Sequence, residues 1–243
     1  MNKQLITIQE VAKKLGVSLD TLRRWDKNGK LKSIRLTPTG HRQYNLDDIE
    51  SLSENIFSIA KNWVTGENPK EPEDKFYCAD SIRFQSRLTY LENDLRNLPN
   101  TEKDFSLIVA ATGEIGNNSF DHNIGSWTDI RGIFFAYDIN KRQIVLADRG
   151  QGIFKTLKRV KPSLSTDKDA LITAFSEKIS GRAPESRGNG LKFVRKIITQ
   201  SDNNLSIYFQ SGNAILNLKN GDLDLNITQS YFSINGCLAF INF

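Results

Sequence analysis

Cysteine and histidine are scarce in this sequence, and their scarcity excludes two kinds of protein. The 243 residues contain two cysteines, Cys78 and Cys237, and two histidines. Two cysteines so far apart do not suggest a disulfide framework, which argues against a small secreted domain and indicates a reducing compartment. Because no cluster of cysteine and histidine is present, a structural zinc site is not expected.

Long apolar runs are missing as well. No stretch reaches the roughly 20 apolar residues that a membrane-spanning helix needs, and the start, Met1-Asn2-Lys3-Gln4, lacks a signal-peptide pattern. We therefore expect a cytoplasmic protein with no membrane partner. A hydrophobic fraction of 38% and a charged fraction of 25% are ordinary for globular proteins, so wholesale disorder is not expected. The length allows one large domain or two small ones.

Positive charge is concentrated at the N-terminal end. Residues 1–44 carry ten lysines and arginines against three acidic residues, a balance of +7. Since the whole chain carries +5, the remaining 199 residues sum to −2. This asymmetry indicates a polyanionic partner for the N-terminal part only.

The first 60 residues have the pattern of two short helices followed by a hairpin. The capping box Thr7-Ile8-Gln9-Glu10 opens a helix from Ile8 to Leu15, and Ser18 is a favourable N-cap for a second helix from Leu19 to about Lys27. Residues 31–44 alternate like two strands around a turn at 37–40, and a further helix follows Asn45. The order predicts a helix-turn-helix with a wing.

Residues 5–54 resemble the winged helix of MerR-type regulators, excisionases and some transposon proteins. The motifs that carry the resemblance are Ile8-Gln9-Glu10-Val11-Ala12, Leu15-Gly16-Val17-Ser18, Thr21-Leu22-Arg23-Arg24-Trp25, Gly29-Lys30-Leu31 and Gly40-His41-Arg42-Gln43-Tyr44. The resemblance implies that the second helix enters the major groove of double-stranded DNA. The residues that it implies for DNA contact are Ser18, Thr21, Arg23, Arg24, Lys27, His41 and Arg42. The charges alone leave open a protein-interaction module with a solvated basic face.

A change in composition separates this segment from the rest of the chain. Gly66, Pro69 and Pro72 stand among charged residues, which predicts a linker over residues 63–75. The predicted domains are therefore a winged helix over 1–62 and a second domain over 76–243. The long dimerisation helix of MerR-type proteins is not evident, so either a homodimer forms through other residues or the DNA site is a single half-site.

Three short motifs follow one another in the second domain. Glu114-Ile115-Gly116-Asn117-Asn118, with Asp121-His122 behind it, falls in a predicted helix, where a carboxylate and an amide one turn apart can point into one pocket. Asp148-Arg149-Gly150-Gln151-Gly152 follows a predicted hairpin of strands 130–139 and 143–147. Arg187-Gly188-Asn189-Gly190-Leu191 opens a helix whose amides can meet phosphate oxygens. Each motif alone is a weak signal: the first would equally fit a solvated helix face, whereas a plain turn is the less favoured interpretation of the second because an apolar strand precedes Asp148.

Together the three motifs resemble the GHKL ATPase superfamily, which includes histidine-kinase catalytic domains, gyrase-type topoisomerases and anti-sigma-factor kinases. The resemblance implies an α+β fold, with a mixed sheet covered on one face by helices, that binds ATP with Mg²⁺. It implies that Glu114 activates the attacking water, that Asn118 binds Mg²⁺ and that Asp148 accepts the adenine amino proton. The nucleotide-binding residues that it implies are Asn118, Asp148, Gly150, Gly152, Gly188, Gly190 and Leu191. The basic segment 153–187 corresponds to the ATP lid.

The segment after Gln200 is predicted to consist of four strands, 205–209, 214–219, 225–231 and 237–243. The turns between them are assigned to residues 211–213, 220–221 and 235–236 on the basis of their Gly and Asn residues.

Three functions are compatible with these two domains. The predicted one is a transcription regulator whose nucleotide state modulates DNA or partner binding. The alternatives are a serine/threonine protein kinase of the anti-sigma type acting on a small STAS-like protein, and an ATPase of a mobile-element or defence system. Autophosphorylation as in histidine kinases is disfavoured because His41, the only histidine outside the motif, lies on the wing. Glu114 makes hydrolysis possible, so whether the chain is an enzyme stays open.

Overall fold

A computed structural model describes residues 4–243 except residues 16, 30, 36, 38–39, 47, 50–54, 102, 178–189 and 202–203, and except the side chains of residues 13–15. The chain divides into two compact units, Met1–Asn55 and Ile56–Phe243. Among the described residues, no helix combines the length and the apolar character needed to cross a bilayer.

The N-terminal unit begins with local structure that the sequence predicts. It contains β1 (Leu5–Thr7), α1 (Ile8–Leu15), α2 (Leu19–Lys27) and β2 (Gln43–Asn45). The capping box is confirmed, because the Glu10 carboxylate accepts hydrogen bonds from the Thr7 amide at 2.7 Å and from the Thr7 hydroxyl at 2.8 Å. Ser18 caps α2 by accepting from the Thr21 amide. A small core holds these elements together, with buried Val11, Leu22, Leu31, Tyr44 and Ile49.

The predicted wing is present in part. Ile34 and Gln43 form an antiparallel bridge, and the Gly40 amide donates to the Thr37 carbonyl across the turn. Apart from this bridge, the described residues of the predicted strand 31–36 form no strand, and the regular partner of β2 is β1. Leu36, Pro38 and Thr39 lie outside the described residues, and so does most of the helix predicted after Asn45.

The second unit is built on a five-stranded antiparallel sheet in the order β3-β4-β5-β7-β6. Its strands are β3 (Tyr77–Cys78), β4 (Ile133–Asp138), β5 (Gln143–Asp148), β6 (Ser206–Lys219) and β7 (Asn226–Asn242). The hairpin predicted before the Asp148 motif is confirmed as β4 and β5. The expectation of a mixed sheet is wrong for the described strands, since each of their pairings is antiparallel.

Two of the predicted turns fall inside strands. Residues 211–213 lie within β6, and residues 235–236 lie within β7. Gly212 and Gly236 have φ angles of +57° and +74°, and the strand register shifts between Ser211 and Ala214. A bulge absorbs these left-handed residues while the ladder continues on both sides, which is why local turn chemistry misplaced the strand ends.

Helices cover both faces of the sheet, whereas the sequence predicts coverage of one face. On one face lie α4 (Ser81–Arg96), α5 (Phe105–Asn123), α7 (Asp167–Ser176) and α8 (Gly190–Gln200), with the short α6 (Gly152–Lys158) nearby. The other face is covered by α3 (Ile56–Thr65), whose Ala60, Trp63 and Val64 are buried against β4, β5 and β7.

The position of α3 also changes the domain boundary. Contacts divide the chain after Asn55, whereas the sequence places the end of the first domain at residue 62 and a linker at 63–75. Trp63 lies in the core of the second unit, and its indole N–H donates to the Lys70 carbonyl at 2.9 Å. The apolar side of α3 is buried against the sheet of the second unit. A sequence pattern shows that a short helix is amphipathic but not which hydrophobic core it will join.

Candidate functional site

A cavity of about 210 Å³ lies between α5, the end of β5 and the start of α8. The predicted catalytic residue Glu114 lines it, and so do five of the residues predicted to bind nucleotide: Asn118, Asp148, Gly152, Gly190 and Leu191. Gly150 does not line the cavity, but its amide donates to Asp148, which does. Gly188 is outside the described residues. The fold thus brings three segments that are distant in the sequence to one cavity.

The carboxylate of Asp148 lies at the buried base of this cavity, with 2% of the residue exposed. Its Oδ2 accepts the Ser119 hydroxyl at 2.7 Å, and its Oδ1 accepts the Gly150 amide at 2.9 Å. Burial raises the pKa of Asp148 from 3.8 to about 6, although these donors work in the opposite direction. At neutral pH the group is mainly ionised, so it can accept a further hydrogen bond from a ligand.

Asn123 connects the end of α5 with the turn that follows Asp148. Its side-chain amide donates to the Ser119 carbonyl at 2.8 Å and to Asp148 Oδ1 at 3.4 Å, and its oxygen accepts the Gln151 amide at 2.9 Å. A Cβ on Gly150 would overlap this side chain, which explains the glycine there. The sequence interpretation missed both Ser119 and Asn123. Their spacing of four residues on the motif helix is the signal that could have identified them.

Glu114 and Asn118 face the first residue of α8. A Cβ on Gly190 would overlap the Glu114 carboxylate and would lie 2.9 Å from the Asn118 side-chain nitrogen. Only glycine therefore lets the start of α8 come this close to α5. The described part of α8 begins at Gly190, so the backbone of this helix borders the cavity at the end where Glu114 and Asn118 lie.

The described residues contain no group of three or more His, Cys, Asp or Glu side chains placed to hold a metal. Asn118 can supply one oxygen, and oxygen is the ligand that Mg²⁺ prefers. A Mg²⁺ ion at this place therefore fits only if a bound phosphate and water supply most of its ligands, as is common for this ion.

The floor of the cavity near α6 depends on a serine that the sequence interpretation also missed. Gly152 has a φ of +71°, and the Ser211 hydroxyl accepts the Ile153 amide at 2.9 Å and donates to the Gly236 carbonyl at 3.3 Å. These bonds join the start of α6 to the bulged part of β6 and β7. Nothing in the spacing of the three motifs points to residue 211.

The second candidate surface is in the N-terminal unit. Arg23, Arg24, Lys27 and His41 are exposed there, as is Ser18, and Thr21 is half-buried. Arg23 forms an ion pair with Asp20 at 2.6 Å, which holds its guanidinium along α2. The exposed cations stand on the helix that the sequence predicts for DNA contact.

Arg42 has a structural contact in addition to its predicted one. Its Nε donates at 2.8 Å to Asp26, which also accepts the amide and the hydroxyl of Ser33. Burial works against ionisation of Asp26, yet these hydrogen bonds and the Arg42 charge hold its pKa below the usual value. Arg42 thus ties the wing segment to α2, and its side chain is about one third exposed.

Comparison with known proteins supports the candidate surface in the N-terminal unit. Residues 7–44 match the MerR family regulatory protein. The MerR-like segment covers α1, α2 and the described part of the wing. A 63-residue stretch is 38% identical to the type II methyltransferase M.Eco47II of Escherichia coli, which corresponds to 26% of this chain and 15% of that protein. The chain therefore spans only a small part of that relative's length, and the likeness shows no shared activity.

Proposed function

We propose that this chain is a DNA-binding transcription regulator whose second unit binds ATP or ADP with Mg²⁺, and that the bound nucleotide modulates DNA or partner binding. The observation that carries the nucleotide half is the buried Asp148 carboxylate, which shares one cavity with Glu114, Asn118 and the start of α8. The MerR-like segment carries the DNA half.

The DNA half follows from charge and shape. In a helix-turn-helix, the second helix lies in the major groove and its exposed side chains reach base edges and phosphates. On α2 these are Arg23, Arg24 and Lys27, preceded by Ser18 and Thr21. His41 and Arg42 on the wing segment would contact the DNA backbone or the minor groove. Phosphate contacts of this kind give affinity that falls steeply with salt.

The nucleotide half follows from the order of groups in the cavity. Asp148 would accept a proton from the adenine amino group, and Gly150 and Gly152 would let the backbone pass close to the base. The phosphates would lie toward the start of α8, where Gly190 and Leu191 line the cavity. Mg²⁺ would neutralise phosphate charge, with Asn118 as its protein ligand, and Glu114 would orient a water molecule. The likeness of the three motifs to the GHKL superfamily supports this arrangement.

The test is calorimetric titration of the full chain with ADP or ATP in the presence of Mg²⁺, followed by a phosphate-release assay on the same sample. The wild-type chain should bind both nucleotides. Asp148→Asn should lose at least ~100-fold in affinity, since a buried site built to accept a hydrogen bond rejects a poorly matched partner.

Asp138→Asn is the matched control, because Asp138 ends the neighbouring strand β4 outside the cavity. It should bind nucleotide like the wild type. Absence of nucleotide binding by the wild type would remove the nucleotide half of the proposal, and unchanged affinity in Asp148→Asn would remove the adenine assignment. Phosphate release would add an enzymatic activity to the regulator.

A further inference from the structure

Asp148 and Arg149 are consecutive residues whose side chains lie on opposite faces of the sheet. Asp148 faces α5 and the cavity, as do its β5 neighbours Leu146 and Ile144 in the core on that side. The Arg149 side chain reaches the other face, where its NH1 donates to the Trp63 carbonyl of α3 at 2.6 Å. The alternation of side chains along β5 continues one residue beyond its end and produces this arrangement.

The Arg149 guanidinium is held on a second side by Asp129. Nε donates to the two carboxylate oxygens at 3.0 and 2.9 Å, and NH2 donates to Oδ2 at 2.7 Å. The Arg149 side chain is only 2% exposed. Next to Asp129, the Thr128 hydroxyl donates to the Gly150 carbonyl at 3.1 Å. Thr128 and Asp129 thus bind both the backbone and the Arg149 side chain of the turn that follows Asp148.

Arg149 is buried whereas the Asp129 side chain is about one third exposed, so the energy of this ion pair is partly offset by desolvation of the guanidinium. Its geometry is nevertheless specific, since the planar guanidinium donates to three acceptor atoms at once, the two carboxylate oxygens of Asp129 and the Trp63 carbonyl oxygen. The partner on α3 is a carbonyl in the last turn of the helix, where main-chain oxygens lack intrahelical donors and the helix dipole favours a cation. Arg149 therefore adds a polar contact at the C-terminal end of α3 to the apolar packing of that helix on the sheet.

We propose that Arg149 relays occupancy of the cavity to α3, and so regulates the segment that leads to the DNA-binding unit. A ligand that accepts or donates a hydrogen bond at Asp148 contacts the residue immediately before Arg149, and Arg149 donates to the Trp63 carbonyl of α3. α3 is the first element after the unit boundary at Asn55, so the chain itself connects it to the N-terminal unit. The inference rests on the proposed nucleotide binding and names its route of regulation.

The experiment is hydrogen–deuterium exchange of the full chain, read on peptides covering α3, with and without ADP and Mg²⁺. In the wild type, ADP should change the exchange of α3 amides. In Arg149→Met this change should be lost, while the calorimetric affinity for ADP stays within about twofold because the side chain does not face the cavity.

Arg142→Met is the matched control. Arg142 precedes the first residue of β5 as Arg149 follows the last, and it also donates to a main-chain carbonyl, that of Pro99, at 2.9 Å. This variant should keep the ADP-dependent change in α3.

The possible outcomes separate the relay from the proposed function. A wild-type chain that binds ADP without a change in α3, or an Arg149→Met variant that keeps the change, would overturn the relay and leave nucleotide binding intact. Failure of the wild type to bind ADP would overturn both. If Arg149→Met does not fold, Arg149→Lys replaces it: its single ammonium cannot hold Asp129 and Trp63 in the forked geometry, so the response of α3 should shrink, and a full response would overturn the relay.

Discussion

The two candidate sites of this chain are built in different ways. The predicted DNA surface lies within residues 18–42, and its cations are mostly exposed on one helix and one wing segment. The cavity of the second unit draws its lining from positions as distant as Glu114 and Cys237, and its central carboxylate is buried. The first site depends on local sequence, whereas the second exists only after the sheet and its helices have packed.

This difference decides how substitutions should behave. The cations of α2 are exposed to solvent: Arg23, Arg24 and Lys27. Salt screens exposed charges, so substitutions of these residues should act nearly independently. In the cavity, Ser119, Asn123 and Asp148 share hydrogen bonds in a buried environment, and the loss of one partner changes the others. Effects should therefore be small and additive at the first site but large and coupled at the second.

The largest effect is expected at Glu114. Any ATP turnover by the wild-type chain should fall by about 10²-fold or more in Glu114→Ala, because the group that orients or deprotonates the attacking water is removed. Nucleotide binding, measured by calorimetry, should be retained. Glu92→Ala, which removes an ion pair with Arg96 on α4, is the control and should keep turnover. An equal loss of binding and turnover in Glu114→Ala would contradict the role of a general base.

The next effect concerns stability and comes from the raised pKa of Asp148. The folded chain binds this proton more tightly than the unfolded chain, whose carboxyl has a pKa near 3.8. The contribution is therefore fully present below about pH 4 and is lost as pH rises through about 6. By this reasoning Asp148→Asn, which removes the titrating group, should gain up to about 3 kcal/mol of stability relative to the wild type between pH 4 and pH 7, whatever the lost hydrogen bonds cost at both pH values.

Urea unfolding of the two proteins at pH 4 and pH 7 measures this difference. Asp148→Asn should gain stability relative to the wild type only at the higher pH, although its affinity for nucleotide is lower. Asp138→Asn should show no such pH-dependent gain. Parallel behaviour of wild type and Asp148→Asn at the two pH values would mean that the carboxyl is not desolvated in the folded chain.

The smallest effect is expected on the DNA surface. Arg24→Ala should weaken binding to a random-sequence DNA duplex several-fold, and should reduce the slope of log affinity against log salt by about one phosphate contact. Fluorescence anisotropy at several salt concentrations measures both quantities. Arg96→Ala, an exposed arginine in the second unit, should change neither. An unchanged slope in Arg24→Ala would show that α2 does not face DNA phosphates.

The elements predicted correctly are those specified by neighbouring residues. Thr7 with Glu10, and Ser18 with Thr21, cap their helices through bonds within four positions of the chain. The strands before Asp148 were also predictable, because a short turn brings two apolar runs together. Six residues of the predicted nucleotide site line one cavity. The order of the three short motifs indicates a shared site, but it does not show how the motifs meet in the fold.

The errors concern partners that are distant in the sequence. Gly212 and Gly236 have the composition of turns, yet the ladder between β6 and β7 passes through them as a bulge. The helix Ile56–Thr65 looks like the end of the N-terminal domain, yet it packs on the second sheet. In both cases the local pattern allowed two outcomes, and contacts with remote strands selected one.

The sequence by itself determined the helix caps, the basic surface of the N-terminal unit and the three motifs of the cavity, because each cap, each motif and the basic surface lies within a single short segment of the chain. The tertiary structure alone decided that Ser211 supports the floor of the cavity and that α3 covers the second face of the sheet. It also decided that Arg149 joins Asp129 and Trp63 behind Asp148. The physical reason is that a buried polar group must find its partners wherever the folded chain places them.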